Sequence, residues 1–145
     1  MIPLESNPAI FNDLSEKLGL CSVLQFHDVY SLTDPDLVGL LPQPVYGIIL
    51  LFPLTSNYES YRSQTDGGKH YDNELIDRVN WFKQTINNGC GLYALLHILG
   101  NLPSDLIMTN SLLASVLANC KSSNSDQQIK LIEDLESTIK LDDNY

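Results

Sequence analysis

Positive charge is scarce in this sequence. Eight Lys and Arg stand against eighteen Asp and Glu, for a formal net charge of −10. Such a balance works against binding a phosphate backbone and suits a basic protein partner, although solubility is the commoner reason for an acidic surface. Long apolar runs are also missing: the longest, Ile48 to Leu54, is interrupted by Pro53 and is far too short to span a bilayer. The opening residues, Met1-Ile2-Pro3-Leu4-Glu5, contain no basic stretch followed by an apolar one, so no signal peptide is expected there. The three cysteines, Cys21, Cys90 and Cys120, are odd in number and widely spaced. They offer neither a disulfide framework nor a zinc-ligand pattern, and free thiols in a reducing compartment fit best. With 43% apolar residues in 145, the remaining reading is one globular domain over 1–145 with a real core.

Several helices are expected from their ends and their apolar spacing. Asn7-Pro8 reads as an N-cap followed by proline at the first helical position, with Gly19 as the stop. Within 8–18, Ile10, Phe11, Leu14 and Leu18 form the buried stripe and Asn12, Asp13, Glu16 and Lys17 face solvent. Phe26 to Leu32 reads as β-rich, and Thr33 and Pro35 open a short helix that Pro42 and Pro44 end. Val45 to Phe52 is almost wholly apolar and β-favouring, the pattern of a central strand covered on both faces. Residues 55–75 are polar and read as a long loop. A helix beginning near Asn88 and stopping at Gly100-Asn101 follows, then another over Leu106–Asn119. Ser125 and Gln128 suggest a capping box before a last amphipathic helix striped by Ile129, Ile132, Leu135 and Ile139.

Chemistry is concentrated in 81–97, Trp-Phe-Lys-Gln-Thr-Ile-Asn-Asn-Gly-Cys-Gly-Leu-Tyr-Ala-Leu-Leu-His. A cysteine opening a helix faces the positive end of the backbone dipole, which favours the thiolate, the form that attacks a carbonyl. Attack develops negative charge on oxygen, and two donors are at hand in the sequence: the Gln84 side-chain amide and the Cys90 backbone N–H, unpaired at a helix start. Outside such a pattern a free cysteine is more often a small buried hydrophobe, the default for Cys21 and Cys120. His97 lies two helical turns after Cys90, about 10 Å away by helical rise, too far to take the thiol proton. It reads as a core histidine. His27 in a β-rich stretch and His70 in the polar loop lack an evident orienting carboxylate, so neither is favoured as a base.

The segment resembles the active-site signature of the ubiquitin carboxyl-terminal hydrolase family, with Gln84, Asn88, Cys90, Gly91, Leu95, Leu96 and His97 at the family's intervals. The similarity extends to Pro3-Leu4-Glu5-Ser6-Asn7-Pro8, Phe26-His27-Asp28-Val29-Tyr30 and Ile48-Ile49-Leu50-Leu51-Phe52-Pro53, hence to essentially the whole chain, and Trp81-Phe82-Lys83-Gln84 looks most like fungal members. Departures are Gly89, where serine or alanine is usual, Ile98, where a small residue is usual, and Gly100 likewise. The resemblance implies an α/β (α+β), papain-like layered fold with a central, mainly antiparallel sheet between helices. It implies hydrolysis of the bond after the C-terminal glycine of ubiquitin through an acyl-enzyme on Cys90, with Gln84 steadying the oxyanion and no metal or organic cofactor. Leu4, Glu5 and Asn88 match positions that bind the substrate, though an exposed Glu5 needs no such role.

The family's general base, a histidine, and its orienting aspartate lie well downstream of the cysteine, and this sequence contains neither. The chain therefore reads as the N-terminal, incomplete part of the catalytic domain, the fold lacking its C-terminal portion. A ubiquitin-binding chain without turnover, or a fragment, are the alternatives. Ubiquitin and its C-terminal adducts are the expected partners, with no nucleic acid and no membrane. The complete protein is expected to be a monomer in the cytoplasm, with the nucleus also open.

Overall fold

The computed structural model describes residues 3–67 and 79–139. Six helices account for most of the regular structure there: α1 Pro8–Leu18, α2 Pro35–Val38, α3 Ser56–Asp66, α4 Cys90–Leu99, α5 Leu112–Lys121 and α6 Ser125–Thr138, with a 3-10 turn at Ser104–Leu106.

Local chemistry accounts for the helix ends. Asn7 Oδ1 accepts the Ala9 N–H at 2.9 Å, Pro8 fixes the first turn, and Gly19 at φ 113° closes α1 in the left-handed conformation that glycine adopts without a steric cost. The chain then runs on through Leu20, which pairs with Ile107 as an isolated antiparallel bridge: Met108 N–H donates to Gly19 O at 2.8 Å and Cys21 N–H to Leu106 O at 3.0 Å. Extended backbone at Ile107 and a left-handed Asn110 (φ 64°) prevent a helix from starting at Leu106. The expected Leu106–Asn119 helix instead begins at Leu112, capped by the Ser111 hydroxyl. The last helix likewise shifts by one residue. Asn124, not Ser125, caps it, exchanging bonds of 3.0 Å with Gln127 in a complete capping box.

The core joins one stripe from each of α1, α4, α5 and α6. Leu14 and Leu18 of α1, Leu92, Leu95 and Leu96 of α4, Leu113 of α5 and Ile132 of α6 are all essentially inaccessible, with Phe11, Phe82 and Leu135 around them. Helix α4 is buried over most of its length and α5 packs chiefly on α6. Burial of this kind is what holds helices of 10 to 14 residues, which are marginal alone.

The expected layered α/β fold with a central, mainly antiparallel sheet is not found: among the described residues there is no sheet, only the Leu20–Ile107 bridge. Val45–Phe52 has no strand partner and makes no backbone hydrogen bond to another described segment. It is not covered on both faces either, since Ile48 is 60% exposed and Leu50 and Leu51 are each 75% exposed. Apolar, β-branched composition favours a strand only where a neighbour completes the ladder, so composition alone misassigned it. What the segment touches is a helix. Gly47 lies against Ile98 of α4, where a β-carbon would sit 3.0 Å from Ile98 Cγ1, so the large residue at 98 is accommodated by a residue with no side chain.

Phe26–Leu32 is also not a strand. Asn12, expected to face solvent, is half-buried and satisfies Phe26 as a neighbouring strand would, accepting its N–H at 2.6 Å and donating to its carbonyl at 3.2 Å. The polar loop expected over 55–75 contains α3, capped by the Thr55 hydroxyl at 3.2 Å from Tyr58 N; its remaining residues from 68 lie outside the described ones. No residue of α3 is buried, so it had no apolar stripe by which to be recognised. Among the described residues no helix is long and apolar enough to cross a membrane.

Candidate active site

Gly89 is the N-cap of α4 and Cys90 its first residue. The preceding turn is tight: Asn88 adopts a left-handed φ of 60°, which asparagine tolerates better than most residues, and Gly89 N–H returns to Ile86 O at 3.1 Å. This turn delivers Cys90 to the surface while Leu92 and Tyr93, on the following positions, are buried. Cys90 is exposed, Cys21 partly buried with Sγ 3.8 Å from Asp105 O, and Cys120 buried, where loss of solvent pushes its thiol pKa up.

Gln84 is exposed on the loop before that turn and donates its Nε2 to Ile86 O at 3.2 Å. The same carbonyl therefore receives Gln84 and Gly89, tying the candidate oxyanion donor to the turn that sets Cys90. Nε2 carries a second hydrogen, which that bond leaves for another acceptor. Gly89, where serine or alanine is usual in the family it resembles, has its reason here: a β-carbon would sit 3.0 Å from Ile86 O and 3.2 Å from Tyr93 Cε2.

Leu4 packs against Gly91, the residue after Cys90. A β-carbon on Gly91 would meet Leu4 Cβ at 3.0 Å, so the opening segment rests on the first turn of α4 through the one position that has no side chain. Glu5, next in sequence, is exposed, and its carbonyl accepts the Asn7 N–H at 2.8 Å, a turn that leads into the α1 cap. Leu4 is thus brought to the nucleophile's helix, and Glu5 is carried on the same short turn.

His97 is occupied elsewhere. Its Nε2 lies 3.0 Å from Phe82 N and 3.1 Å from Phe82 O, and the ring stacks on Phe82 (centroids 5.9 Å) and Trp81 (6.0 Å). Burial lowers its pKa below the usual 6.5, partly opposed by the Phe82 carbonyl, so the neutral ring accepts the Phe82 N–H. His97 therefore holds the 79–82 segment on α4, as a core histidine. Asn101 completes that attachment, accepting Asn80 N–H and donating to Asn80 O, both at 2.9 Å, and donating to His97 O at 2.7 Å. His27 is exposed, and His70 lies outside the described residues. Cys90 Sγ has no hydrogen-bonding base among the described residues, and no group of three or more His, Cys, Asp or Glu is placed there to hold a metal.

Three contributors were not anticipated from the sequence. Tyr93, Thr85 and Glu133 form a chain in which Thr85 N–H donates to Tyr93 Oη at 3.2 Å, Thr85 Oγ1 lies 3.3 Å from the same oxygen, and Thr85 Oγ1 donates to Glu133 Oε1 at 3.3 Å. The first two are eight residues apart and Glu133 is 48 residues from Thr85, so no local motif reveals them. A separate apolar groove of about 750 Å³ lies between 20–32, 41–49 and the far end of α4 at Ile98 and Leu99, with Leu102 just beyond it. It contains none of Gln84, Asn88 or Cys90.

Comparison with known proteins agrees with the motif. The chain matches the family model of ubiquitin carboxyl-terminal hydrolase, family 1, over residues 1–144. It is 46% identical over 101 residues to ubiquitin carboxyl-terminal hydrolase YUH1 of Saccharomyces cerevisiae, a match covering 70% of this chain and 40% of that protein. It is 36% identical over 111 residues to ubiquitin carboxyl-terminal hydrolase 3 of Arabidopsis thaliana (75% and 46%) and 33% identical over 137 residues to isozyme L1 of Rattus norvegicus (93% and 60%). The chain thus spans about half the length of the curated relatives it matches. With the family model matched from residue 1 to residue 144 and the cysteine motif at the start of a buried helix, this chain belongs to the ubiquitin carboxyl-terminal hydrolases of family 1.

Proposed function

We propose that this chain supplies the nucleophile-bearing part of a thiol-dependent deubiquitinating hydrolase that cleaves after the C-terminal glycine of ubiquitin. The observation that carries the reading is the placement of Cys90: an exposed thiol on the first residue of a helix, beside backbone N–H groups that have no partner within that helix. Cys90 attacks the scissile carbonyl, its sulfur bonding to carbon as the carbonyl π pair moves to oxygen. Gln84 and the Cys90 N–H donate to that oxygen; collapse expels the leaving amine and leaves ubiquitin as a thioester, which water then hydrolyses. Leu4, Glu5 and Asn88 contact ubiquitin. The acidic surface, at a formal charge of −10, favours encounter with a basic protein partner.

Thiol deprotonation and leaving-group protonation require a base, and His97, the histidine on the same helix as Cys90, is committed to Phe82 instead. This observation also favours a second reading, a chain that binds ubiquitin with little turnover of its own.

A fluorogenic amide on the ubiquitin C-terminus tests both. The hydrolase reading expects slow release that Cys90→Ala abolishes, and iodoacetamide labelling of Cys90 ahead of Cys21 and Cys120. Release that survives Cys90→Ala would overturn it. Saturable ubiquitin binding with no Cys90-dependent release would support the second reading.

A further inference from the structure

We propose that Tyr93 is a positioning residue that clamps both ends of the 85–89 loop and thereby sets Gln84 relative to Cys90. The proposal rests on the reading of Gln84 as an oxyanion donor. Its basis is that Tyr93, which lies outside this loop on α4, meets it at both ends, whereas the bonds from Gln84 Nε2 and Gly89 N–H both close on Ile86 O.

Tyr93 is only 3% exposed and sits on α4 within one turn of Cys90, where its backbone N–H bonds to Gly89 O at 3.0 Å. Its phenol oxygen accepts the N–H of Thr85, the residue bonded to Gln84, at 3.2 Å. Its ring edge presses on the other end of the loop, with Cε2 3.2 Å from where a Gly89 β-carbon would be. One rigid side chain on the nucleophile's own helix therefore fixes the residue after Gln84 and the residue before Cys90. Thr85 Oγ1 extends the clamp to α6 through Glu133. The glycine at 89 is matched to this ring: an alanine there would compete with Tyr93 for the same space.

A tyrosine that merely stabilised α4 would act on everything in the site alike. The Tyr93 hydroxyl, bonded to the residue after Gln84, acts through Gln84. Tyr93→Phe keeps the ring and removes the oxygen, leaving Thr85 N–H without that acceptor. Loss of one such bond is expected to speed hydrogen exchange at the Thr85 amide roughly 5- to 10-fold. Gly89→Ala is expected to raise the same rate by displacing the ring from the other side.

The second readout is single-turnover capture of a ubiquitin whose C-terminal glycine is replaced by an alkenyl ester, to which the Cys90 thiolate adds with charge developing on the ester oxygen. Tyr93→Phe is expected to slow capture about 5- to 10-fold in the otherwise unaltered chain and less than about 2-fold when Gln84 is already alanine. An unchanged Thr85 exchange rate in both Tyr93→Phe and Gly89→Ala overturns the clamp. Equal slowing with and without Gln84 overturns its action through Gln84. Failure of the unaltered chain to capture the ubiquitin reagent, while Cys90 still reacts with iodoacetamide, counts against the hydrolase reading and leaves the exchange rates to decide the clamp.

Discussion

Cys90 and His97 sit on one helix and have opposite fates, for reasons the residues themselves supply. Cys90 opens α4 and is carried to the surface by the turn at Asn88 and Gly89. His97, two turns on, is drawn between Trp81 and Phe82 and bonded to the Phe82 backbone. Both placements were legible, because helical rise already separates them by too great a distance for proton transfer. A pH dependence follows from the second. Since burial lowers the His97 pKa in the folded chain, the unfolded chain binds that proton more readily, and the linkage makes stability rise with pH. The contribution is complete above the unfolded value of 6.5 and is lost as pH falls from there through the lowered folded value. Denaturant titrations across that range are expected to show this acid loss, and His97→Gln should flatten it. Trp81, the single tryptophan, is stacked on the ring and reports the same protonation by its fluorescence. An acid limb equally steep in His97→Gln would place the titration elsewhere.

At the level of elements, an apolar stripe or a proline start made a helix readable, α4 even without a side-chain cap, whereas the polar α3 offered neither. Asn7-Pro8 and Gly19 bracket α1 as expected. Helix α3 is polar all round and showed no stripe, and Val45–Phe52 had the composition of a strand without a described strand to pair with. The Thr85–Tyr93–Glu133 chain was hidden for a related reason: it is assembled by packing α6 near the 84–89 loop, which no local spacing encodes. That dependence gives α6 a measurable influence. Asn124→Ala removes the side chain that accepts Gln127 N–H while keeping the backbone N–H that donates to Gln127 Oε1, and is expected to cost about 1 kcal/mol of stability. Chemical denaturation of the variant measures it, and Asn124→Ser, which retains a capping oxygen, should recover most of the loss. A full loss in Asn124→Ser would mean that the asparagine acts otherwise than as a cap.

For the molecule as a whole, the core of α1, α4, α5 and α6 coexists with apolar surface that it does not cover. Leu50 and Leu51, each 75% exposed, lie within a run that also exposes Ile48 and Leu54, and Leu32 and Leu40 are each 71% exposed nearby in sequence. Single exposed leucines are ordinary on soluble proteins, but contiguous ones are not. The run has no backbone partner among the described residues either, so its N–H and C=O groups are as available for pairing as its side chains are for burial. Both features drive association of one chain with another, whereas the net charge of −10 opposes it by repulsion that salt screens. The chain is therefore expected to bind a hydrophobic dye in its native state and to self-associate more strongly as salt is added. Replacing Leu50 and Leu51 together by Lys and Glu should diminish both effects without shifting the thermal transition appreciably, because neither side chain belongs to the core. Dye fluorescence and sedimentation velocity at low and high salt test this directly. A dye-silent chain that stays monomeric at high salt would show that Ile48–Leu54 is covered in solution, and an unfolded double variant would show that the run contributes to the core after all.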